Sequence, residues 1–371
     1  MRESLQLMPL GKVCKNLDSK RIPITKNKRK KGEIPYYGAS GIVDFVDDYL
    51  FDEDLLLVSE DGANLLARTY PIAFSVKGKI WVNNHAHVLR FENLISQKFI
   101  EYYLNSIKLD NYVSGMAQPK LNQKALNSII VPFPPLPEQK QIVTLLDQAF
   151  AAIDQAKANV EKNLQNAGEL FQSKLNEVFS GGGDGWEERK LGEVCENLDR
   201  MRIPITKSKR VKGETPYYGA SGIVDFVEGY IFDEDLLLVS EDGANLLART
   251  YPIAFSISGK NWVNNHAHVL RFNEMASQKF IEYYLNTIKL DSYVSGMAQP
   301  KLNQKMLNSI PVPFPNLKIQ KGVVSQIDLL SKNIKTFNSK NKTKLSSLED
   351  LKKSILQKAF SGELVGQLSE P

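Results

Sequence analysis

Cysteine is scarce in this sequence, and long apolar runs are absent. Only 2 of the 371 residues are cysteines, Cys14 and Cys195, and they occupy the same place in LGKVC and LGEVC. This excludes a disulfide scaffold and predicts two small buried thiols. No run of about 18 apolar residues occurs, and MRESLQLMPLGKV lacks the apolar core of a signal peptide. These absences predict a cytoplasmic protein without a membrane span.

Catalytic motifs are missing as well. The chain has no GxxxxGK[ST] phosphate loop, and its glycine-rich stretch SGGGDG does not open a helix after a strand. The stretch FPPLPE does not supply the Asn/Asp-Pro-Pro-aromatic signature of a methyltransferase acting on base amino groups. Without a nucleophile motif or a convincing carboxylate cluster, we predict no catalytic residue. A net charge of +5 is too small to identify a partner by itself.

What the sequence does contain is an internal repeat. The thirteen letters YVSGMAQPKLNQK at 112–124 return unchanged at 293–305, and His85 and Phe179 recur as His266 and Phe360, each 181 residues later. The offset is constant from LGKV to FSG, so no insertion or deletion separates the halves. The glycine-rich stretch 179–194 joins them. The chain is therefore a tandem duplication, and its fold follows from one half.

Each half changes its sequence pattern once, from mixed α/β to helical. Residues 10–136 mix short β-rich runs with turn signals, a compact α/β pattern, and a helical pattern follows VPFPPLPEQK. That helix has about 40 residues and a length of about 60 Å. The predicted fold class is α+β, and the predicted divisions are a first globular domain 1–136, a helix 137–180, a linker with a second domain 181–317, and a helix with a tail 318–371.

The two helices carry heptad patterns that predict an antiparallel coiled coil. In that pairing Ala149 lies near Leu348, which would relate the two globular domains by an approximate two-fold axis. The alternative is that each helix packs only on its own domain, but about 40 residues outrun a domain of this size. The predicted helix seam consists of Ile142, Leu146, Ala149, Ile153, Val160, Ile327, Leu330, Ile334, Phe337, Leu348 and Leu351.

The globular domains have stayed nearly the same, whereas the helices have diverged. Domains that touch the same external object are expected to stay alike, and duplex DNA has the two-fold symmetry that such a pair would match. A recent duplication would also leave the domains alike, but it does not explain why the helices changed faster.

A basic run in each domain is the expected phosphate contact. KRIPITKNKRKKG begins at residue 20, and MRIPITKSKRVKG repeats it from residue 201. About three to five neutralised phosphates per domain would make DNA binding steeply dependent on salt. The alternative is a solvated charged face. The predicted phosphate contacts are Lys20, Arg21, Lys26, Lys28, Arg29, Lys30, Lys31, Arg202, Lys207, Lys209, Arg210 and Lys212.

Polar side chains in PYYGASG, SEDGAN and GMAQPK are the candidates for reading base edges. Each could instead serve only as a turn former, as Asp61-Gly62 does well on its own. The first domain offers Tyr36, Tyr37, Ser40, Glu60, Asp61, Asn64, Arg68, Gln118 and Lys120. The second offers Tyr217, Tyr218, Ser221, Glu241, Asp242, Asn245, Arg249, Gln299 and Lys301.

All four histidines lie in two copies of VNNHAHVLRF. On a strand His85 and His87 would face the same side, which makes a metal site conceivable. No cysteine or third ligand stands nearby in the sequence. We therefore expect ordinary hydrogen bonding or DNA contact, and no metal.

The order of these features resembles the specificity subunit of type I restriction-modification enzymes. The similarity lies in QPKLNQKALNSIIVPFPPLPEQKQIV, the long helix ending in FSG, and the repeat behind WEERKLGEV, and it covers essentially the whole chain. The second copy departs where Pro137, Glu138 and Gln139 become Lys318, Ile319 and Gln320.

The resemblance implies a non-catalytic subunit with two target recognition domains, each of which grips half of a bipartite double-stranded DNA target. It also implies a helical spacer that docks two methyltransferase subunits using S-adenosylmethionine and motor-nuclease restriction subunits using ATP and Mg. Because the two domains match, the two half-sites are predicted to be inverted repeats of each other.

Two rival functions stay open at this point. The same loops on a two-headed scaffold could bind a protein or a carbohydrate. Affinity that does not change with salt concentration would favour that function. A stand-alone nuclease using Glu60, Asp61 and His85 would cleave DNA without any partner.

Overall fold

The structure is a computed structural model that describes residues 6–115, 117–180, 182, 185–296 and 299–361. The chain divides into two compact units. Unit 1 comprises Met1–Val160 with Thr343–Pro371, and unit 2 comprises Glu161–Lys342. Each unit therefore contains one sheet-rich domain, called head 1 or head 2 below, and parts of both long helices.

Over its described residues, head 1 has ten short strands and four short α-helices, after which the first long helix begins. The strands are β1 Leu7–Pro9, β2 Lys15–Asn16, β3 Lys31–Gly38, β4 Gly41–Val46, β5 Phe51–Asp52, β6 Leu55–Ser59, β7 Ala73–Val76, β8 Lys79–Val82, β9 Ala86–Arg90 and β10 Ile130–Pro132. The helices are α1 Leu10–Val13, α2 Asn64–Ala67, α3 Leu94–Ser106, α4 Gln123–Ser128 and the long α5 Leu136–Ser180.

Head 2 repeats the same order of elements. Its strands are β11 Glu188–Lys190, β12 Glu196–Asn197, β13 Lys212–Gly219, β14 Gly222–Val227, β15 Phe232–Asp233, β16 Leu236–Ser240, β17 Ala254–Ile257, β18 Lys260–Val263, β19 Ala267–Arg271 and β20 Pro311–Pro313. Its helices are α6 Leu191–Val194, α7 Asn245–Ala248, α8 Met275–Leu285, α9 Gln304–Asn308 and the long α10 Leu317–Ser361.

Two four-stranded sheets form the centre of head 1. One has the order β2-β9-β6-β7 and is antiparallel throughout. The other has the order β4-β3-β8-β5, in which β3 runs parallel to β8. Strand β1 pairs with β10, so the two ends of the head are held together. Head 2 has the corresponding three sheets.

The run LLLVS forms the central strand β6 and explains how the head divides into two cores. Its side chains alternate between the faces of the strand. Leu55 and Leu57 pack between the two sheets, whereas Leu56 and Val58 face the core beneath helix α3. All four are fully buried.

Helix α5 is anchored to head 1 where it begins. Gln139 is buried, and its amide donates to the carbonyl of Pro134 at 2.7 Å while its oxygen accepts a hydrogen bond from Ser96 at 2.7 Å. The end of α10 completes the same core, because Phe360 packs edge-on against Phe99 and Tyr103 with ring centroids 5.3 Å apart.

Unit 2 uses the same construction with the helices exchanged. Gln320, near the start of α10, accepts from Ser277 and donates to the carbonyl of Pro315. Phe179, at the end of α5, packs edge-on against Phe280 at 5.2 Å and Tyr284 at 5.5 Å. The departure of the second copy from PEQ therefore leaves the start of its helix intact.

Within unit 1 the first part of α5 runs antiparallel to the last part of α10. Asp154 pairs with Lys352 at 3.0 Å, and Lys157, one turn further along α5, pairs with Glu349, which comes earlier in α10. The predicted contact of Ala149 with Leu348 is wrong, because Leu348 lies beside Glu349 and hence near Lys157. The register is shifted by more than one helical turn.

Four of the six residues predicted for the helix seam of α10 are buried or half-buried. Ile327 is buried, and Leu330, Ile334 and Leu348 are half-buried, but Phe337 and Leu351 are 42% and 46% exposed. The inward positions next to those two are taken by Asn338 and Lys352, which are only half-buried. On α5 the prediction holds, with Ala149 half-buried and four residues buried: Ile142, Leu146, Ile153 and Val160.

The two thiols do not form a disulfide, and no described helix has the length and apolarity to cross a membrane. Cys14 is half-buried and its thiol donates to the carbonyl of Leu10 at 3.3 Å. Burial, aided by the charge of Asp18, raises the pKa of Cys14 to about 12, so it stays a neutral thiol.

Candidate nucleic-acid interface

The basic run of head 1 is a loop of two short 3-10 turns, Asp18–Lys20 and Lys26–Lys28, that leads into β3. Its lysines are exposed, and among the described residues none of them forms an ion pair. They are Lys20, Lys26, Lys28, Lys30 and Lys31. In head 2 the exposed lysines of the run are Lys207, Lys209 and Lys212. These side chains are free to approach phosphates.

The two arginines of the run are instead occupied inside the head. Arg29 pairs with Asp44 at 2.9 Å and lies 4.3 Å above the ring of Tyr36. The hydrogen bond from Arg29 lowers the pKa of Asp44. Tyr36 is 1% exposed, and its hydroxyl accepts from the backbone amide of Ile24 at 2.9 Å. Tyr36, predicted to read bases, is therefore buried and holds the backbone of the basic loop instead. Arg210 and Tyr217 repeat the arrangement.

Arg21 belongs to a buried network of charges. Its guanidinium lies 2.6 Å from Glu60 and donates to the carbonyl of Ala86 at 2.7 Å. The other oxygen of Glu60 lies 3.3 Å from Lys120. Both Arg21 and Glu60 have side chains only 12% exposed, so they connect the basic loop to the loop of Lys120 rather than face a ligand. The corresponding residues in head 2 are Arg202, Glu241, Ala267 and Lys301.

His87 lies at the centre of this network. Its Nδ1 is 2.6 Å from the carboxylate of Asp18, and its Nε2 is 2.7 Å from the carbonyl oxygen of Leu121. Burial acts to raise the pKa of Asp18, but the hydrogen bond and charge of His87, the amide of Val88 and the charge of Arg21 outweigh it, and the pKa is lowered. His268 and Asp199 repeat the pair at 2.6 Å.

The loop 114–120, described except for Met116, carries Gln118 and Lys120 to the surface. Ser114 and Lys120 exchange two backbone hydrogen bonds of 2.9 and 2.8 Å, which close the loop. The amide of Gly62 donates to Pro119 at 3.0 Å and ties it to the SEDGAN turn. Gln118 and Gln299 are both exposed.

Asp61 and Ser40 are placed beside further polar groups. Asp61 contacts Nδ1 of His85 at 2.8 Å, and the His85 side chain is 53% exposed. Ser40 and Tyr70 are hydrogen-bonded at 3.1 Å, and both are exposed. Tyr37 is half-buried, and burial raises its pKa. In head 2 the same places are held by Asp242, Ser221 and Tyr218.

Asn64 and Arg68 have structural partners. Asn64 is 8% exposed, its side-chain oxygen accepts from the amide of Thr69 at 3.0 Å, and its amide donates to the carbonyl of Tyr70 at 2.9 Å. Arg68 has a φ of 54° and donates to the carbonyls of Leu104 and Ile107. Asn245 and Arg249 repeat both arrangements. These four residues hold the turn that carries Tyr70 or Tyr251.

The two histidines of each repeat do not share a face. His85 precedes strand β9 and pairs with Asp61, whereas His87 lies in the strand and is buried. The ligand atoms of Asp18, Glu60 and His87 lie within 4.8 Å of one another. Arg21 and Lys120 already place two cations against Glu60, so this donor set does not resemble a cation site.

Sequence reasoning missed the exposed apolar side chains of strand β4 and the residues that bridge distant segments. Ile42, Val43 and Phe45 are each about half exposed on that edge strand. Asp18 lies 69 residues from His87 in sequence, so no local pattern could have paired them. The repetition of both residues in the second half was the available signal.

The comparisons with known proteins identify the family. The model of the type I restriction modification DNA specificity domain matches residues 3–164 and again 183–347. The chain belongs to this family and carries two copies of the domain. The resemblance inferred from QPKLNQK and its flanking segments is thereby confirmed, as is the fold of two such domains with two long helices.

Curated relatives agree with this assignment. The chain is 23% identical to the type I restriction enzyme MjaVIII specificity subunit of Methanocaldococcus jannaschii, over 98% of this chain and 93% of that protein. It is 35% identical to the putative specificity subunit S.HindORF215P of Haemophilus influenzae, but there the match covers 42% of this chain and only 40% of the relative.

Solved structures share the fold. A chain from a study of complex assembly and conformational transition in the type I R-M system has a TM-score of 0.70 at 19% identity, covering 96% of this chain and 98% of that one. The HsdS subunit from Thermoanaerobacter tengcongensis has a TM-score of 0.58 at 18% identity, covering 96% and 97%.

Proposed function

We propose that this chain is the non-catalytic subunit that gives a type I restriction-modification complex its DNA specificity, acting in the cytoplasm. Each head binds one half of a bipartite duplex target, and the two half-sites are inverted repeats of each other. The observation that carries the proposal is that both heads repeat the same exposed polar loops. The contacts His85–Asp61 and His266–Asp242 are both 2.8 Å.

In this proposal the exposed lysines of the basic loops bind phosphates, and the loops that hold Gln118 and Gln299 read base edges. The amide of a glutamine can pair with adenine N6 and N7 in the major groove. Tyr70 and Tyr251, exposed beside Ser40 and Ser221, extend the same surface. The buried charge networks hold these loops in place and do not touch DNA.

The remaining parts of the proposal concern partners. Two methyltransferase subunits with S-adenosylmethionine and restriction subunits with ATP and Mg dock on this chain and perform the chemistry. The exposed apolar side chains on the long helices, among them Phe337 and Leu351, are surfaces that such partners would cover.

A binding selection on random duplexes, with the full chain and its methyltransferase partner present, tests the proposal. The expected result is two half-sites that are inverted repeats, separated by a spacer of fixed length. A single contiguous site, or retention that ignores sequence, would refute it. Alanine at Gln118 is expected to relax specificity in one half-site only, and Gln299 is its matched control in the other.

A further inference from the structure

The strongest unexplained feature is the set of groups around the buried His87. The ring is fully buried, and both of its nitrogens lie at hydrogen-bond distance from oxygen atoms. Around it, each packed element contributes a charged group: Asp18 from the 3-10 turn, Arg21 from the basic loop, Glu60 from the end of β6, and Lys120 from the loop 114–120.

The identity of these oxygen atoms fixes the number of protons on the ring. The Nε2 partner is the backbone carbonyl of Leu121, which can only accept, so Nε2 carries a proton. The Nδ1 partner is a carboxylate oxygen of Asp18 at 2.6 Å. The other oxygen of Asp18 accepts from the amide of Val88 at 2.8 Å, as expected for an ionised carboxylate.

A neutral imidazole has one donor and one acceptor, so it would turn a lone pair toward one of these acceptors. An unpaired polar contact of this kind is costly at a fully buried position. The imidazolium form satisfies both contacts, because both of its nitrogens donate. The same distances recur at His268, 2.6 Å to Asp199 and 2.7 Å to the carbonyl of Leu302.

We infer that His87 and His268 are buried imidazolium ions that act as positioning residues for DNA recognition. His87 joins the turn at the base of the basic loop, through Asp18, to the end of the loop that carries Gln118, through Leu121. The positioning role rests on the proposed function. The charge of the ring does not depend on it.

The charge is measured directly by nitrogen-detected NMR of the full chain labelled only at its four histidines. Two of them are expected to show both ring nitrogens protonated at neutral pH, and the signals are assigned by their loss in His87→Gln and His268→Gln. A bare ring nitrogen at either position would overturn the inference.

Asp18→Asn sharpens this measurement without removing the ring. The new amide keeps an oxygen for Val88 and turns a donor toward Nδ1, so a neutral ring with its proton on Nε2 becomes satisfied. The His87 signals are expected to change from the imidazolium to this neutral tautomer, while those of His268 stay unchanged. Identical His87 signals in wild type and variant would contradict the assignment.

The positioning role is measured by the affinity of the full chain for the selected inverted-repeat duplex, because two identical half-sites cannot be distinguished by the head that binds them. His87→Gln can donate to only one of the two oxygens, and loss of one charge-assisted contact is expected to weaken binding of this duplex about tenfold or more. His268→Gln is the matched variant and is expected to weaken binding equally. Wild-type affinity in either variant would refute positioning, whereas wild type that selects no half-site would refute the proposed function and leave the NMR result standing.

Discussion

The two heads keep the same contacts, whereas the helices that support them differ. Arg21–Glu60 and Arg202–Glu241 are both 2.6 Å, and the rings of His87 and His268 have matching partners. The anchors of the long helices also recur, but one contact between head and helix differs between the copies. We infer that both recognition surfaces must keep the same structure to do the same task, whereas the long helices need not.

The clearest difference lies at the contact between each head and its long helix. In unit 1 Phe150 packs edge-on against Tyr102 at 5.4 Å, and Lys352 lies 4.9 Å from the Phe150 ring. The equivalent residue in unit 2 is Ser331, which lines a groove of about 820 Å³ beside Tyr283. One half of the duplication has filled this junction with an aromatic ring, and the other has left it open.

The largest expected effect tests whether the charge networks are equivalent. Glu60→Ala leaves Arg21 without its nearest carboxylate and Lys120 without its partner, and is expected to lower the free energy of unfolding of unit 1 by about 3–5 kcal/mol. Glu241→Ala is the matched variant and should cost the same in unit 2. Denaturant unfolding followed by local probes in each head checks this, and unequal losses would break the equivalence.

The junctions should respond in opposite directions. Phe150→Ser removes a half-buried ring and is expected to destabilise unit 1 by about 2 kcal/mol. Ser331→Phe places a ring in an open groove and is expected to stabilise unit 2 by about 1 kcal/mol. Thermal unfolding of the two variants measures both changes in stability. Destabilisation by Ser331→Phe would contradict the prediction and show that the groove has no room for the ring.

The basic loops distinguish the heads in their dependence on salt. Lys20 and Lys30 of head 1 correspond to Met201 and Val211 of head 2, although Arg200 replaces Ser19. Lys20→Met with Lys30→Val is expected to reduce the slope of log affinity against log salt by about two for the inverted-repeat target, about tenfold in affinity across ordinary salt concentrations. An unchanged slope would mean that the run is a solvated face.

Acid stability gives the smallest effect and should be the same in both heads. The folded-state pKa values of Asp18 and Asp199 are lowered, so their stabilisation is complete above the unfolded value of about 3.9 and is lost as pH falls through the folded value. Asp18→Asn and Asp199→Asn should each weaken the dependence of unfolding on acid pH. A variant that unfolds along the wild-type acid curve would argue against these ion pairs.

Much of the fold could be predicted because it depends on local or repeated patterns. The duplication is exact in its offset, the run LLLVS reads as a buried strand, and the proline-rich segment marks where each helix begins. The helix seam was predictable except at two positions of α10. Phe337 and Leu351 suggested an inward face, but packing turns Asn338 and Lys352 inward instead, and no apolar pattern shows that.

The site was less predictable because residue type does not distinguish polar residues that are exposed from polar residues that are held inside the head. Tyr36 and Glu60 were predicted to read bases and Arg21 to bind phosphate, yet partners elsewhere in the chain hold all three inside the head. Gln118 and the exposed lysines remain as candidates because their loops turn outward. Long-range pairing therefore decides which polar residues are free to bind, and a sequence pattern does not contain it.

Sequencing of methylated bases in cells that carry the complete system tests the central claim most directly. If two equivalent heads read one target, every methylated site will contain two half-sites that are inverted repeats of each other at a constant separation. Methylation at two unrelated half-sites would contradict the account, because nearly identical heads would then have read different sequences.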